Sequence, residues 1–216
     1  MAPCQGVVMF ASDRRRFMVR LGAGLGLASI GIPAFAQPSN RDLSFALKVA
    51  EGAELRAQKA EIYDPAYVVL GYPMGDVPDD RGVCTDTVIR AFRHAGVDLQ
   101  VDVHEDMSAH FDAYPKIWGL TRPDRNIDHR RAPNLETFFR RKGGSRTMSR
   151  NAADYHAGDI VSWRLTGSGL PHIGVVTRKT RAGEPLVAHN IGAGTREEPC
   201  LFSWPMSGWF RFERWT

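Results

Sequence analysis

Cysteine is scarce in this chain of 216 residues, which holds three, at positions 4, 84 and 200. The scarcity excludes a disulfide-dense scaffold, since one bridge at most could form once the leader is removed. Two common zinc-site spacings, HExxH and paired CxxC, are also missing. No segment after residue 36 is long and apolar enough to span a membrane. Neither an internal repeat nor a low-complexity linker is present, so about 180 residues beyond the leader suit one domain with a sizeable core. The formal charge of +4 gives little reason to expect nucleic-acid binding, because the first 36 residues hold four arginines and one aspartate; the rest has 24 basic against 23 acidic residues, a net +1.

What is present begins with that leader. "RRRFMV", Arg14 to Val19, precedes an uncharged run rich in Gly and Ala that ends in "AFAQ". A basic start, a mildly apolar middle and the small-x-small site Ala34, Phe35, Ala36 read as an export signal cleaved before Gln37, and Arg14 and Arg15 before Phe17 resemble the twin-arginine type. The expected location is periplasmic or secreted, with no stable membrane anchor after processing; an uncleaved anchor is the competing reading.

Beyond the leader the hydrophobic period predicts helices first. Leu43, Ala46, Leu47, Ala50 and Ala53 mark an opening helix with Asn40 as its N-cap. "AYVVL" reads as a short extended piece, and Gly71 to Gly82, with three Gly, two Pro and three Asp, as loop. A second helix starts near Cys84, with Val88, Ala91, Phe92 and Ala95 on its stripe and Gly96 at its end. "VHEDMSAHF" and "PNLETFFRRKGG" suggest two more. From Gly158 the period becomes two: "DIVSWRL", "HIGVVTR", "PLVAHNI" and the closing "WFRFERW" read as antiparallel strands. The expected class is α+β, with the sheet packed on the Cys84 helix.

Chemistry centres on "GVCTDTVIRAFRHAG". The first turn of a helix lowers a thiol pKa through its unpaired N–H groups and the positive end of the dipole, which suits Cys84 to nucleophilic work. His172 and His189 on neighbouring predicted strands are the candidate base and its orienting partner, with Asn190 as an alternative orienter. Three other readings remain: a Cys84–Cys200 disulfide, an inert buried thiol, and structural histidines. Asp86 either caps the helix or touches substrate. Asp159 reads as a turn former; together with His156, His172 and His189 it is also a candidate metal set, and Asp76, Asp79 and Asp80 are a second, without an EF-hand pattern.

A helix-borne Cys, then "AGDIVSW", "HIGVV" and a strand ending in His resemble the papain-like cell-wall hydrolases of the NlpC type. More closely, "YPMGDVPDDRGVCTDTVIRAFRHAG", "NIDHRRAPNLETFFRRKG" and "HIGVV…VAHNIGAG" resemble an exported bacterial family, domain of unknown function 1287, from about Asp64 to the C-terminus. The resemblance implies a papain-like α+β fold, a cysteine peptidase or amidase using Cys84, His172 and His189 without a cofactor, and peptidoglycan or another wall polymer as partner. Where NlpC-type enzymes have "DCSG", this chain has Val83 before the cysteine and Thr85, Asp86 after it. The 88-residue separation of Cys84 and His172 takes in a basic insertion around 115–150, with ten Lys or Arg against three acids from Lys116 to Arg150. Arg140 and Arg141 are its candidate substrate-binding residues; a merely solvated face is the alternative.

Overall fold

Two hydrophobic periods divide the domain, and each builds one layer. The structure, a computed structural model, describes residues 44–59 and 61–215. The expected export signal and the Asn40 cap lie outside those residues. The described start of helix α1 (Phe45–Ala57) is capped instead by Ser44, whose hydroxyl accepts the Leu47 N–H at 3.4 Å. Val49, Ala50 and Ala53 of α1 are fully buried, and the helix packs against α2 (Cys84–His94). Gly52 permits that approach, because a Cβ there would stand 2.7 Å from the His94 Cβ and 2.9 Å from the Ala91 Cα.

Helix α2 has Cys84, Val88, Ala91 and Phe92 on its buried stripe and ends before Gly96, whose φ of +90° suits glycine. Helix α3 (Leu99–Ala109) begins at Asp98, which caps the Gln100 N–H at 3.0 Å. Helix α4 (Ala132–Arg141) has Pro133 in its first turn, where a missing N–H costs nothing. Leu135, Phe138 and Phe139 on α4 have no exposed surface, and each such side chain contributes roughly 1.5–3 kcal/mol of burial. Part of the basic segment around residues 115–150 is therefore core.

The second layer is a five-stranded antiparallel sheet of β3 (Ile160–Arg164), β4 (Pro171–Arg181), β5 (Glu184–Asn190), β6 (Thr195–Glu198) and β7 (Met206–Phe210), in the order β6-β5-β4-β3-β7. Ala182 and Gly183, both with positive φ, close the tight β4–β5 hairpin. Strand alternation splits the apolar residues between two faces. Ile160, Ile173, Val175, Ala188 and Phe210 join the helices in one cluster; Val161, Trp163, Val176, Val187 and Trp209 join Tyr155, Cys200 and Leu201 in another. The α+β class and the Cys84 helix packed on an antiparallel sheet are as expected. "AYVVL" is not a strand. A two-residue parallel pair, β1 (Ile62–Tyr63) with β2 (Arg81–Gly82), flanks it, and the Leu70 N–H is taken by Asn126 at 3.0 Å.

Candidate active site

The first turn of α2 is held from three directions. Asp86 accepts the Val83 N–H at 2.7 Å, and its two oxygens meet Arg130 Nε at 2.9 Å and Nη2 at 3.0 Å. The Thr85 hydroxyl donates to the Arg130 carbonyl at 2.9 Å. Arg90, one helical turn further on, ties the aspartate-rich loop to the helix through Asp76 and the carbonyls of Val77, Pro78 and Arg81. Asp86 is thus a buried cap and ion-pair partner, 2 % exposed, which is the first of the two roles expected of it, and both of its oxygens are already occupied.

Cys84 and Cys200 are both buried free thiols, which removes the bridged alternative; they belong to the two different apolar clusters. The Cys84 sulfur is met by the backbone N–H groups of Ile173, Thr85 and Cys84 itself. Their pull toward thiolate is outweighed. Burial, helped by the Asp86 charge, pushes the Cys84 thiol up to about 12, the reverse of the lowered value expected for a helix start.

His172 lies one residue before the Ile173 N–H that faces the sulfur. Its Nε2 is 2.9 Å from His189 Nδ1. Gly174 allows strand β5 to come this close, since a Cβ there would meet Val187 at 2.8 Å and the Ala188 carbonyl at 2.9 Å. Burial, with the neighbouring His189, pushes His172 down to about 3, and burial lowers His189 as well. Both rings are therefore neutral at pH 7. Trp163 stacks on His172 at 5.6 Å between centroids, and Trp204 meets both imidazoles edge-on at 5.7 and 5.9 Å. Sequence reasoning overlooked these two indoles; Trp163, alternating with Val161 on β3, carried a signal, whereas Trp204 sits in an irregular stretch.

Cys84 and His172 open onto one cavity of about 470 Å³, whose walls include Tyr63, Trp118, Arg131 and Asn190. Arg131 lies over the Trp118 ring at 4.1 Å, a cation–π contact. Asn190 donates to the Gly82 carbonyl at 3.2 Å and accepts the Gly192 N–H, so it secures the loops and leaves His189 as the group touching His172. Among the described residues no hydrogen bond joins the Cys84 sulfur to His172. A larger cavity of about 650 Å³ lies beside Trp204, with neither cysteine nor histidine in its lining.

The remaining expectations fare differently. Arg140 and Arg141 sit in the last turn of α4, whose first residues line the cavity, about 12 Å away along the helix axis. Arg141 is held by Asp106 at 2.7 Å. Both arginines stand at the opposite end of α4 from the residues that line the cavity. The basic segment is also not one face: Arg130 is buried against Asp86, Arg131 covers Trp118, and Lys116 covers Phe111. Asp159 accepts from Trp209 Nε1 and Arg211, each at 2.7 Å, and serves as a structural anchor. Asp76, Asp79 and Asp80 are paired with arginines.

Fold and cavity together define a class: an α+β domain with a cysteine at a helix start that shares a cavity with one of two paired, sheet-borne imidazoles. The chain belongs to the family described as Domain of unknown function (DUF1287), whose match covers residues 50–212. It is 58% identical over 167 residues to the Uncharacterized protein YijF of Escherichia coli (strain K12), across 77% of this chain and 81% of that protein. Among solved structures it is similar to NlpC1 from Trichomonas vaginalis, with a TM-score of 0.42 and 14% identity over 78% of this chain and 44% of that one. NlpC2 from the same organism gives 0.40 and 12% over 82% and 50%. The chain thus spans about half the length of those two structures.

Proposed function

We propose that this protein is an exported cysteine hydrolase, a peptidase or amidase acting on amide bonds of the bacterial cell wall. The observation that carries the reading is that Cys84 and His172 line one cavity while His172 is held through its Nε2 by His189. That bond leaves His172 Nδ1 as the ring nitrogen available to the thiol. In the first half-reaction the thiol proton passes to His172, the sulfur attacks the amide carbonyl carbon, the C–N bond breaks, and the amine leaves with that proton. Water then gives a proton to His172 and its hydroxide to the thioester, releasing the acid and restoring the thiol. The N–H groups of Cys84, Thr85 and Ile173 are the donors at hand for the oxyanion. The arginine-led leader supports action in the periplasm or outside the cell, and the wall polymer is the partner that compartment supplies. Incubating the chain from Gln37 onward with purified peptidoglycan and reading new termini by mass spectrometry tests this. Cleavage that disappears in Cys84→Ala supports it; an unaltered polymer with the intact protein overturns it.

One observation favours a second reading, a wall-binding protein that keeps the fold without catalysis. The Cys84 thiol is pushed up to about 12 and His172 down to about 3, so the resting pair is neutral on both sides. Alkylation by iodoacetamide over a pH series separates the two. A His172-dependent rate at pH 7 marks the enzyme, and a thiol that reacts only above its free pKa of ~8.5 marks the binding protein.

A further inference from the structure

Beyond the two imidazoles stands a carboxylate. Strand register pairs His189 with Arg196 on β6, so Glu198, two residues further along, is its diagonal neighbour on the same face of the sheet. Glu198 Oε2 lies 3.2 Å from His189 Nε2. That nitrogen is buried and has no aligned hydrogen-bond partner, while the Glu198 side chain is 44% exposed. The other charged neighbour, Arg196, directs its guanidinium to the Ala193 carbonyl at 3.2 Å.

We infer that Glu198 is a positioning residue that sets the direction of the whole proton chain from His189 to Cys84. The inference rests on the reading of Cys84 and His172 as the reacting pair. A neutral imidazole has one N–H and one lone pair. An ionised carboxylate only accepts, so it holds the proton of His189 on Nε2. His189 Nδ1 is then the lone pair, and across the 2.9 Å contact His172 must donate from its own Nε2. His172 Nδ1 is left bare, in the form that takes a thiol proton. Turned the other way, the same two rings would place N–H on His172 Nδ1 and could accept nothing from Cys84. Burial keeps both rings neutral, so each has one proton to place. The two histidines alone are symmetric with respect to this choice; Glu198 breaks the symmetry.

The test uses the full mature chain in a Cys200→Ser background, with ¹⁵N-labelled histidine and iodoacetamide as the thiol probe. In the protein with Glu198 intact, the ¹⁵N spectrum at pH 7 should show His172 and His189 both protonated on Nε2. Glu198→Lys puts a donor-only group at the end of the chain and should invert both rings to Nδ1–H, slowing Cys84 alkylation at least tenfold. Glu198→Gln, whose amide oxygen still accepts, should keep the original tautomers and most of the rate. A His172 protonated on Nδ1 in the parent protein, or rings that stay Nε2–H in the Lys variant, overturns the inference. An alkylation rate indifferent to His172→Ala would instead overturn the proposed reacting pair, and the tautomer spectrum would still decide the role of Glu198.

Discussion

Cys84 and Cys200 make a controlled pair within one molecule. Both are buried, both are reduced, and burial pushes both thiols up to about 12. Their surroundings differ. Cys200 sits among Val161, Trp163, Val187, Leu201 and Trp209, and its side chain lines neither of the two cavities described above. Cys84 heads a helix, receives N–H groups from two elements and shares a cavity with His172. Electrostatic burial alone therefore cannot tell a nucleophile from core filler; the groups converging on the sulfur do.

The sharpest break in that comparison is catalytic. Cys84→Ala should lower the proposed hydrolysis of wall peptides by on the order of 10⁴-fold or more, whereas Cys200→Ala should leave it within about twofold, the scale of a few tenths of a kcal/mol. Rates from released amino groups check this, and equal losses would remove the distinction.

Acid separates the two thiols and alkali does not. His172 has its pKa lowered from 6.5 to about 3, so its contribution is fully present above 6.5 and is lost as pH falls toward 3. At most that is about 5 kcal/mol, and His172→Gln should flatten the acid limb of a denaturation series. For the thiols the sign reverses. Each folded value is raised from 9.0 to about 12, so stability is fully present below 9 and is lost as pH climbs toward 12. Cys84→Ala and Cys200→Ala should flatten the alkaline limb alike, each by up to about 4 kcal/mol.

Loosening the first turn of α2 should touch only one thiol. Asp86→Ala strands Arg130, which is 6 % exposed, and breaking such a buried pair costs roughly 3–5 kcal/mol. Chemical denaturation reads the loss. Alkylation of the native protein should change at Cys84 and stay unchanged at Cys200.

The smallest expected effect belongs to the basic turn. Arg140→Glu with Arg141→Glu should alter neither thiol's reactivity, because α4 carries them away from the cavity. Weaker sedimentation with isolated walls at low salt, vanishing near physiological ionic strength where the Debye length is ~8 Å, would give the turn a docking role.

How much of this was legible beforehand follows from how local each signal is. Periods of 3.6 and 2 depend on neighbours within a few residues, so the helices and the switch to antiparallel strands at Gly158 could be read directly. Cys84 at a helix start and two histidines on adjacent strands were visible for the same reason. "AYVVL", read as a short extended piece, joins no sheet because β-branched residues favour extension without guaranteeing a partner to pair with. The basic segment misled because charge counts ignore direction: Arg130 turns inward to Asp86, while Phe138 and Phe139, in the same segment, fill the core.

The sequence by itself determined the class of the domain, the order of its layers and the identity of the residues around the thiol. Tertiary structure alone decided three things. It decided that Cys84 and Cys200 stay apart, because Cys84 at the start of α2 and Cys200 beyond the end of β6 are packed into different apolar clusters. Asp86 serves Arg130 because a contact across 44 residues places a guanidinium on both its oxygens. Glu198 meets His189 because the β5–β6 register sets which side chains are diagonal neighbours. Register, long-range pairing and desolvation depend on where distant segments meet, and no window of adjacent residues contains that information.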